Sequence, residues 1–284
     1  MRGPVPALIH QGGRHTISSL STIRSLQRGI LILQTVNRFN GAKPSEISEK
    51  TGIPRPSVYR LLETLAEMGL VTRDHFSNKW RPTLHVKSLS SGFRDEDWVC
   101  DIAVPHMIDL GRRVLWPIDL VTFRNYHVEV RESTHQISPY SVNHGMVGKQ
   151  MPVLETSAGR AILAFMPDDE RESLLALLSE VTGQRPPFIM VDGSLDIILK
   201  RVREMGVGFR MADFTPETGS ISAPIWYEDR VFACVTLIWS TNSIKFARAV
   251  ELYREDLLET AARISHDLVG ALNKGEIARL RPIG

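Results

Sequence analysis

The 284-residue sequence predicts an α+β protein in two parts: a small, mainly helical front domain of winged helix-turn-helix form, and a larger back domain of mixed strands and helices. Three observations predict it. Between Ser45 and Val71, two short apolar-periodic runs are split at Thr51-Gly52 and restarted at Pro54-Arg55-Pro56. Charge segregates along the chain: residues 1–92 hold 13 Lys/Arg and 5 Asp/Glu, a balance of +8, against −6 for the remainder. Beyond residue 115, strand-like runs alternate with amphipathic helical runs, and antiparallel hairpins are expected at two places, which excludes a doubly wound sheet.

Residues 1–22 read as a flexible leader. MRGPVPALIHQGGRH has no apolar core followed by a cleavage-like site, so no secretory signal is expected. Residues 23–84 make the front domain. SLQRGILILQTVNRF places Leu26, Ile30, Leu33 and Val36 on one face of a first helix. GAKP connects it to a short second helix, with Pro44 in the first turn, where its missing N–H costs nothing. Ile47 faces the core, and Gly52 supplies the left-handed residue that ends the helix. The third helix carries Val58, Leu61, Leu62 and Leu65 as one buried stripe. Its other face shows Arg55, Ser57, Tyr59, Arg60 and Glu63.

Two helices joined by a short Gly-containing turn form a helix-turn-helix. The break lets the third helix cross the second steeply and present its N-terminal side to a DNA major groove. Arg55 and Arg60 suit phosphate or the acceptor edge of guanine, and Ser57 and Tyr59 can add contacts. Arg28 and Ser45 complete the expected DNA-facing set on the first two helices. LVTRDHFSNKWRPT then reads as two strands around the polar tip DHFSN, a wing whose Lys79 and Arg81 suit backbone phosphates.

Residues 85–98 are expected to be a linker helix, with a short helix at Val86 to Ser91 and a longer one from Asp95 to Arg113 kinked at Pro105. The back domain, residues 99–284, begins with a hairpin of LWPIDLVTF and YHVEVRES around Arg124-Asn125. TSAGRAILAFM, DDERESLLALLSEV and LDIILKRVREMG read as helices; GVGFRMADF, ISAPIWYED and RVFACVTLIWS as strands; and FARAVELYREDLLETAARISHDLVGAL as a long closing helix. No apolar run approaches the ~18 residues of a membrane span. Cys100 and Cys234 are too few for a disulfide framework, and a reducing cytoplasm is the expected setting.

No G-x-S-x-G, P-loop or H-E-x-x-H occurs, so no catalytic residue, metal or cofactor is expected. His127 and His135, with Glu129 and Glu132 between them, have the composition of a metal cluster but suit a solvated hairpin better. A binding pocket fits the back domain: TSAG offers a helix N-terminus for a carboxylate, Ser157, Ser220, Ser222 and Thr236 offer hydroxyls, and Arg210 offers a bidentate cation.

SLQRGILIL, EISEKTGIPRPSVYRLLETLAEMGLV, MPVLETSAGRAILAFMP, GVGFRM and SISAPI together resemble the IclR family of bacterial transcription regulators, from about Ser25 to Gly270. The resemblance implies a GAF-like α+β effector-binding domain joined by the linker helix to the DNA-binding domain, a small organic acid as effector, and a homodimer or dimer of dimers. It places pocket positions on Asn143, Met146, Met151, Ser157, Ala158, Ser220, Thr236 and Ile238. The family's cysteine at the Ser220 position is absent, and its acidic pair is reduced to Asp213 beside Arg210. Ile238 and Trp239 imply a more apolar pocket than one for pyruvate or glyoxylate.

LSSGFRDEDW, VLWPIDL, VRESTH and MVGKQMPVL resemble the subgroup regulating hydroxyphenylpropionate catabolism, whose members are activators. An activator of an aromatic-acid operon is therefore the expected function, with Tyr140, Trp116 or Trp226 available to pack on a ring. Its partners are operator DNA, an aromatic carboxylate and, for an activator, RNA polymerase, with no membrane. The alternatives are a repressor responding to a short-chain keto acid and, more remotely, an enzyme fused to a DNA-binding module.

Overall fold

The computed structural model describes residues 22–141, 144–182, 193–211 and 215–277. The chain divides into a front unit, residues 1–93 with 143–145, and a back unit, residues 94–142 and 146–284. In the front unit, α1 (Arg24–Arg38), α2 (Pro44–Thr51) and α3 (Arg55–Glu67) precede the hairpin of β1 (Val71–Asp74) and β2 (Lys79–Pro82). Pro44 occupies the first turn of α2, and the Lys43 backbone N–H is satisfied by the Glu46 carboxylate at 2.8 Å. Gly52 ends α2 at φ 68°, a conformation that costs a residue with a Cβ. The Ser48 hydroxyl donates to the Ile53 carbonyl at 2.7 Å and fixes the turn between the helices.

Ile32, Val36, Ile47, Val58, Leu62, Leu70 and Trp80 form the front core. The expected inner face of α1 is corrected here. Ile32, Thr35 and Val36 are its buried residues, whereas Leu26 is 59% and Ile30 49% exposed. Leu26, Ile30 and Leu33 border an open groove of about 1120 Å³ with Leu61 and Leu65 of α3. The helices leave this face apart, so apolar periodicity alone does not guarantee burial.

The expected linker helix is also interrupted. Leu84–Leu89 forms a 3-10 helix capped by Thr83, and residues 93–96 are not helical. Arg131 explains the break within the back unit: it pairs with Asp95 and with Glu96 (3.2 Å), drawing that stretch onto the sheet. Trp98–Ala103 then winds as a wide π-turn into α4 (Val104–Val114). Pro105 lies in the first turn of α4, where a missing N–H is tolerated.

The back unit is built on one six-stranded antiparallel sheet of order β5-β4-β3-β8-β7-β6. Its strands are β3 (Ile118–Arg124), β4 (His127–Ser133), β5 (Gln150–Pro152), β6 (Gly208–Arg210), β7 (Thr218–Tyr227) and β8 (Arg230–Ser240). The β3–β4 hairpin turns at Asn125 and Tyr126, both at positive φ, the twist-matched two-residue turn. β8 is the continuous apolar run of the sequence and sits centrally, buried between β3 and β7.

α5 (Ser157–Phe165) covers one face of the sheet; α4 and the long α8 (Phe246–Lys274) cover the other, where Trp239 meets Phe246. α6 (Asp168–Thr182) and α7 (Ser194–Met205) complete the unit. No helix among the described residues is long and apolar enough to cross a membrane.

Candidate DNA interface and effector site

The front unit presents one polar face. The first two turns of α3 expose Arg55, Tyr59 and Arg60, with Ser57 half-buried among them. Among the described residues, none of these three exposed side chains makes a hydrogen bond or ion pair, so they are available to an incoming polyanion. Arg28 is exposed on α1 and borders the same groove as Arg60, while Ser45 is half-buried in the first turn of α2. On the wing, Lys79 is half-buried and pairs across the ladder with Asp74 in register only.

Arg81 has partners within the front unit. Its guanidinium donates to the Asn40 carbonyl at 2.8 Å and contacts Asp74 at 3.4 Å. It fastens the wing to the end of α1. Hydrogen bonds from the Ser77 hydroxyl and from the Ser77 and Phe76 backbone, with Arg81 nearby, hold the Asp74 carboxyl down at about 2.

In the back unit, the sheet register assembles a polar row. Ser222 of β7 lies opposite Thr236 of β8, Thr236 opposite Asp119 of β3, and Asp119 opposite Ser133 of β4. One rung away, Ser220 lies opposite both Ile238 and Arg210. Because antiparallel partners project to the same side, these residues share the face under α5.

Ser157 opens α5 directly over the row. Its hydroxyl is 2.8 Å from that of Ser220 and accepts from that of Ser222 at 2.7 Å; Ser222 is in turn 2.7 Å from the Thr236 hydroxyl. Two glycines allow so close an approach. A Cβ at Gly159 would lie 1.9 Å from the Val153 carbonyl oxygen, and one at Gly208 would lie 2.0 Å from that of Ser157. The Thr156 hydroxyl caps the helix by accepting from the Gly159 N–H at 3.1 Å. Arg160, buried, ties the same turn down through the Leu154 and Phe209 carbonyls.

This arrangement can take a small anion. A hydroxyl is both donor and acceptor, so this chain of four, linked by three bonds, keeps one free O–H, and reversing its direction moves that donor between Ser220 and Thr236, beside the N-terminus of α5. Ala158 is buried in the same turn, and Ile238 gives the site an apolar edge. Met146 and Met151 pack half-buried against the core.

Arg210 is buried and donates to the Thr218 carbonyl (2.7 Å), the Thr218 hydroxyl (2.9 Å) and the Thr215 carbonyl (3.1 Å). It holds the start of β7. Tyr140 packs on Trp116 at 4.9 Å, and Trp116 donates to the Tyr253 hydroxyl, so both rings serve the packing there. Trp226 meets Phe165 edge-on at 5.4 Å. Asn143 and Asp213 lie outside the described residues.

Sequence reasoning missed Asp119. It is buried, accepts from the Ser133 hydroxyl at 2.6 Å and lies 3.8 Å from His135. Burial pushes its carboxyl up to about 7, against the opposing pull of Ser133 and Lys149. The signal was an acid on the inward side of an otherwise apolar strand. His127 and His135 are not brought together: His127 is exposed and bonded to Asn125, and His135 is buried and bonded to Ser141. Among the described residues, no group of three potential ligands could hold a metal.

Comparison with known proteins joins the two units. The IclR helix-turn-helix domain model matches residues 25–75, and the model for the bacterial transcriptional regulator IclR C-terminal matches residues 96–266. The DNA-binding transcriptional repressor YiaJ of Escherichia coli (strain K12) is 23% identical over 256 residues, covering 86% of this chain and 88% of the relative. The Thermotoga maritima IclR crystal structure superposes with a TM-score of 0.56 at 22% identity, covering 86% of this chain and 98% of that one. An IclR homolog from Microbacterium hydrocarbonoxydans, crystallised in complex with 4-hydroxybenzoate, gives 0.51 at 20% identity, covering 87% and 99%. The chain belongs to the IclR family of DNA-binding bacterial transcriptional regulators, with a small-molecule effector domain behind its helix-turn-helix.

Proposed function

We propose that the protein activates an aromatic-acid catabolic operon when a small aromatic carboxylate binds in its back domain. The observation that carries the reading is the hydroxyl chain Ser157–Ser220–Ser222–Thr236 at the N-terminus of α5. The carboxylate is held by the Ser157 end of α5, and the ring lies toward Ile238, Met146 and Met151. The 4-hydroxybenzoate bound by the Microbacterium homolog supports an aromatic acid as the ligand class. The residues of the hydroxyphenylpropionate subgroup, LSSGFRDEDW and MVGKQMPVL, support activation and recruitment of RNA polymerase.

The DNA contacts in this reading come from Arg28, Ser45, Arg55, Ser57, Tyr59, Arg60 and Lys79. The functional boundaries fall at residues 23–84 for DNA binding, 85–98 for the connector and 99–284 for the effector domain. A homodimer or dimer of dimers is supported by the open groove lined by Leu26, Ile30, Leu33 and Leu61, apolar surface that a second copy would cover. An effector acts by binding one arrangement of paired front domains better than another.

Thermal unfolding against a panel of phenylpropionates, benzoates and short keto acids tests the reading. A ligand at 100 times its dissociation constant stabilises the folded state by about 2.7 kcal/mol. An upward shift with one aromatic acid supports it. A shift confined to short keto acids instead supports the alternative, a repressor responding to a short-chain keto acid; the YiaJ relative is named as a repressor.

A further inference from the structure

We infer that the wing is a wedge: Phe76 inserts between base pairs in the minor groove and bends the bound DNA. Phe76 is 104% exposed, more than any other large apolar side chain among the described residues. It stands at the tip of the β1–β2 hairpin, outside the front core formed by the described residues. Leaving so much apolar surface in water returns no folding free energy.

The turn that presents it is nevertheless fixed. Asp74 accepts from the Phe76 N–H at 3.0 Å, the Ser77 N–H at 3.3 Å and the Ser77 hydroxyl at 2.6 Å. Asn78, at φ 55°, accepts from both Nε (3.1 Å) and Nη2 (2.6 Å) of Arg73. Arg81 anchors the base of the hairpin to Asn40. The backbone of the tip is therefore pre-organised, and only the ring itself must be ordered on insertion.

Charge selects the occupant. Around Phe76 the hairpin carries Arg73, His75 and Lys79, and its single acid, Asp74, is turned inward onto Ser77 and Arg81. A bare aromatic ring set in a cationic hairpin matches a groove walled by phosphates and floored by stacked bases. It matches a second protein surface less well, because an apolar contact would have to bury those cations. β1 begins only three residues after the Met68 cap of α3, so a helix in the major groove carries the wing to the neighbouring minor groove. Apolar wedges of this kind unstack a base step and kink the duplex by roughly 20–90°.

The test uses the full chain and a duplex that it enriches from a random library. 2-Aminopurine is placed at successive flanking positions, and end-labelled energy transfer reports bending. Wild type is expected to brighten 2-aminopurine at one flanking step and shorten the end-to-end distance. Phe76→Ala is expected to lose both signals and to bind roughly tenfold more weakly, within the range of one base–aromatic stack. Phe76→Leu, which keeps an apolar wedge, is expected to retain part of the bend.

Unchanged bending and brightening in Phe76→Ala overturn the proposal. A change of oligomeric state in Phe76→Ala with DNA distortion intact also overturns it, and assigns the ring to a protein contact. Enrichment of no duplex at all would overturn DNA recognition itself, a failure distinct from enrichment without distortion, which removes the wedge alone.

Discussion

The Ser222 hydroxyl donates to the Ser157 hydroxyl at 2.7 Å, joining the middle of β7 to the first residue of α5. One bond thereby links the sheet to the helix end where an anion is best received. Ser222→Ala removes the centre of the chain and leaves Ser157 and Thr236 each short of a partner. Effector affinity is expected to fall roughly tenfold, the worth of one hydrogen bond of about 1.4 kcal/mol. Titration calorimetry with the effector found by the unfolding panel checks this. Affinity for operator without effector should be unchanged.

Asp119 makes stability depend on pH. Its carboxyl stands at about 7 in the folded chain, against an ordinary 3.8. The unfolded chain therefore releases the proton first, and folding is favoured less as pH rises through that window. The groups facing it are Ser133, His135, Lys149 and Glu132. Its contribution is complete below about pH 4 and is lost by about pH 7, a change of up to about 4 kcal/mol. Urea unfolding at pH 5 and pH 8 should show the wild type weaker at pH 8. Asp119→Asn, uncharged throughout, should narrow the difference between the two; equal pH dependence in both proteins would contradict the assignment.

Gly159 and Gly208 are positions where shape is decisive. A Cβ at either meets a carbonyl oxygen at 1.9 or 2.0 Å, and backbone cannot step aside as a flexible side chain does. Gly159→Ala and Gly208→Ala should each destabilise the back unit by about 3 kcal/mol. Thermal unfolding should register the loss, and Gly270→Ala, which meets nothing within 4 Å, serves as the neutral control.

Arg60 and Arg81 should separate in salt titrations. Arg60 is exposed, and its side chain has no partner among the described residues; Arg81 is held by Asn40 and Asp74. Arg60→Ala should reduce the log–log salt slope of DNA binding by about 0.9, the loss of one phosphate contact. Arg81→Ala should leave that slope nearly unchanged and lower the melting temperature of the wing and its domain. An unaltered slope in Arg60→Ala would place the recognition surface elsewhere.

The groove between α1 and α3 predicts association. Ile30→Asp puts a charge among Leu26, Leu33 and Leu61, on surface that is open among the described residues. The variant should keep its thermal stability and elute from sizing columns at a lower mass than wild type. An unchanged elution volume would assign the oligomer contact to another surface.

Local chemistry made much of this protein legible. Gly52 and Pro44 bound α2 because one tolerates positive φ and the other needs no N–H donor. Of the expected stripe Val58, Leu61, Leu62 and Leu65, all but Leu61 are buried as spaced; Leu61 is half-buried at the open groove. The β3–β4 hairpin, the central β8 and the long α8 also stand close to where period and composition place them. Each signal lies within a few residues of what it determines, and it survives because the rest of the fold does not compete with it.

Distant partners decided the remainder. Leu26 and Ile30 have helical spacing but stay exposed, because burial needs a surface opposite them. Residues 93–96 leave the helix because Asp95 and Glu96 reach Arg131, about 35 positions along the chain. Arg210 and Arg81 are cations in sequence and structural ties in space, once carbonyl groups are brought within reach. The hydroxyl residues of the effector site were nameable one by one. Their union, and the placing of Asp119 beside them, required strand register and two glycines to bring 157, 220, 222 and 236 together. Sequence determined which groups the protein possesses and the local elements that carry them; tertiary structure determined which groups meet, because hydrogen bonding and exclusion of water act over a few ångströms of space and not along the chain.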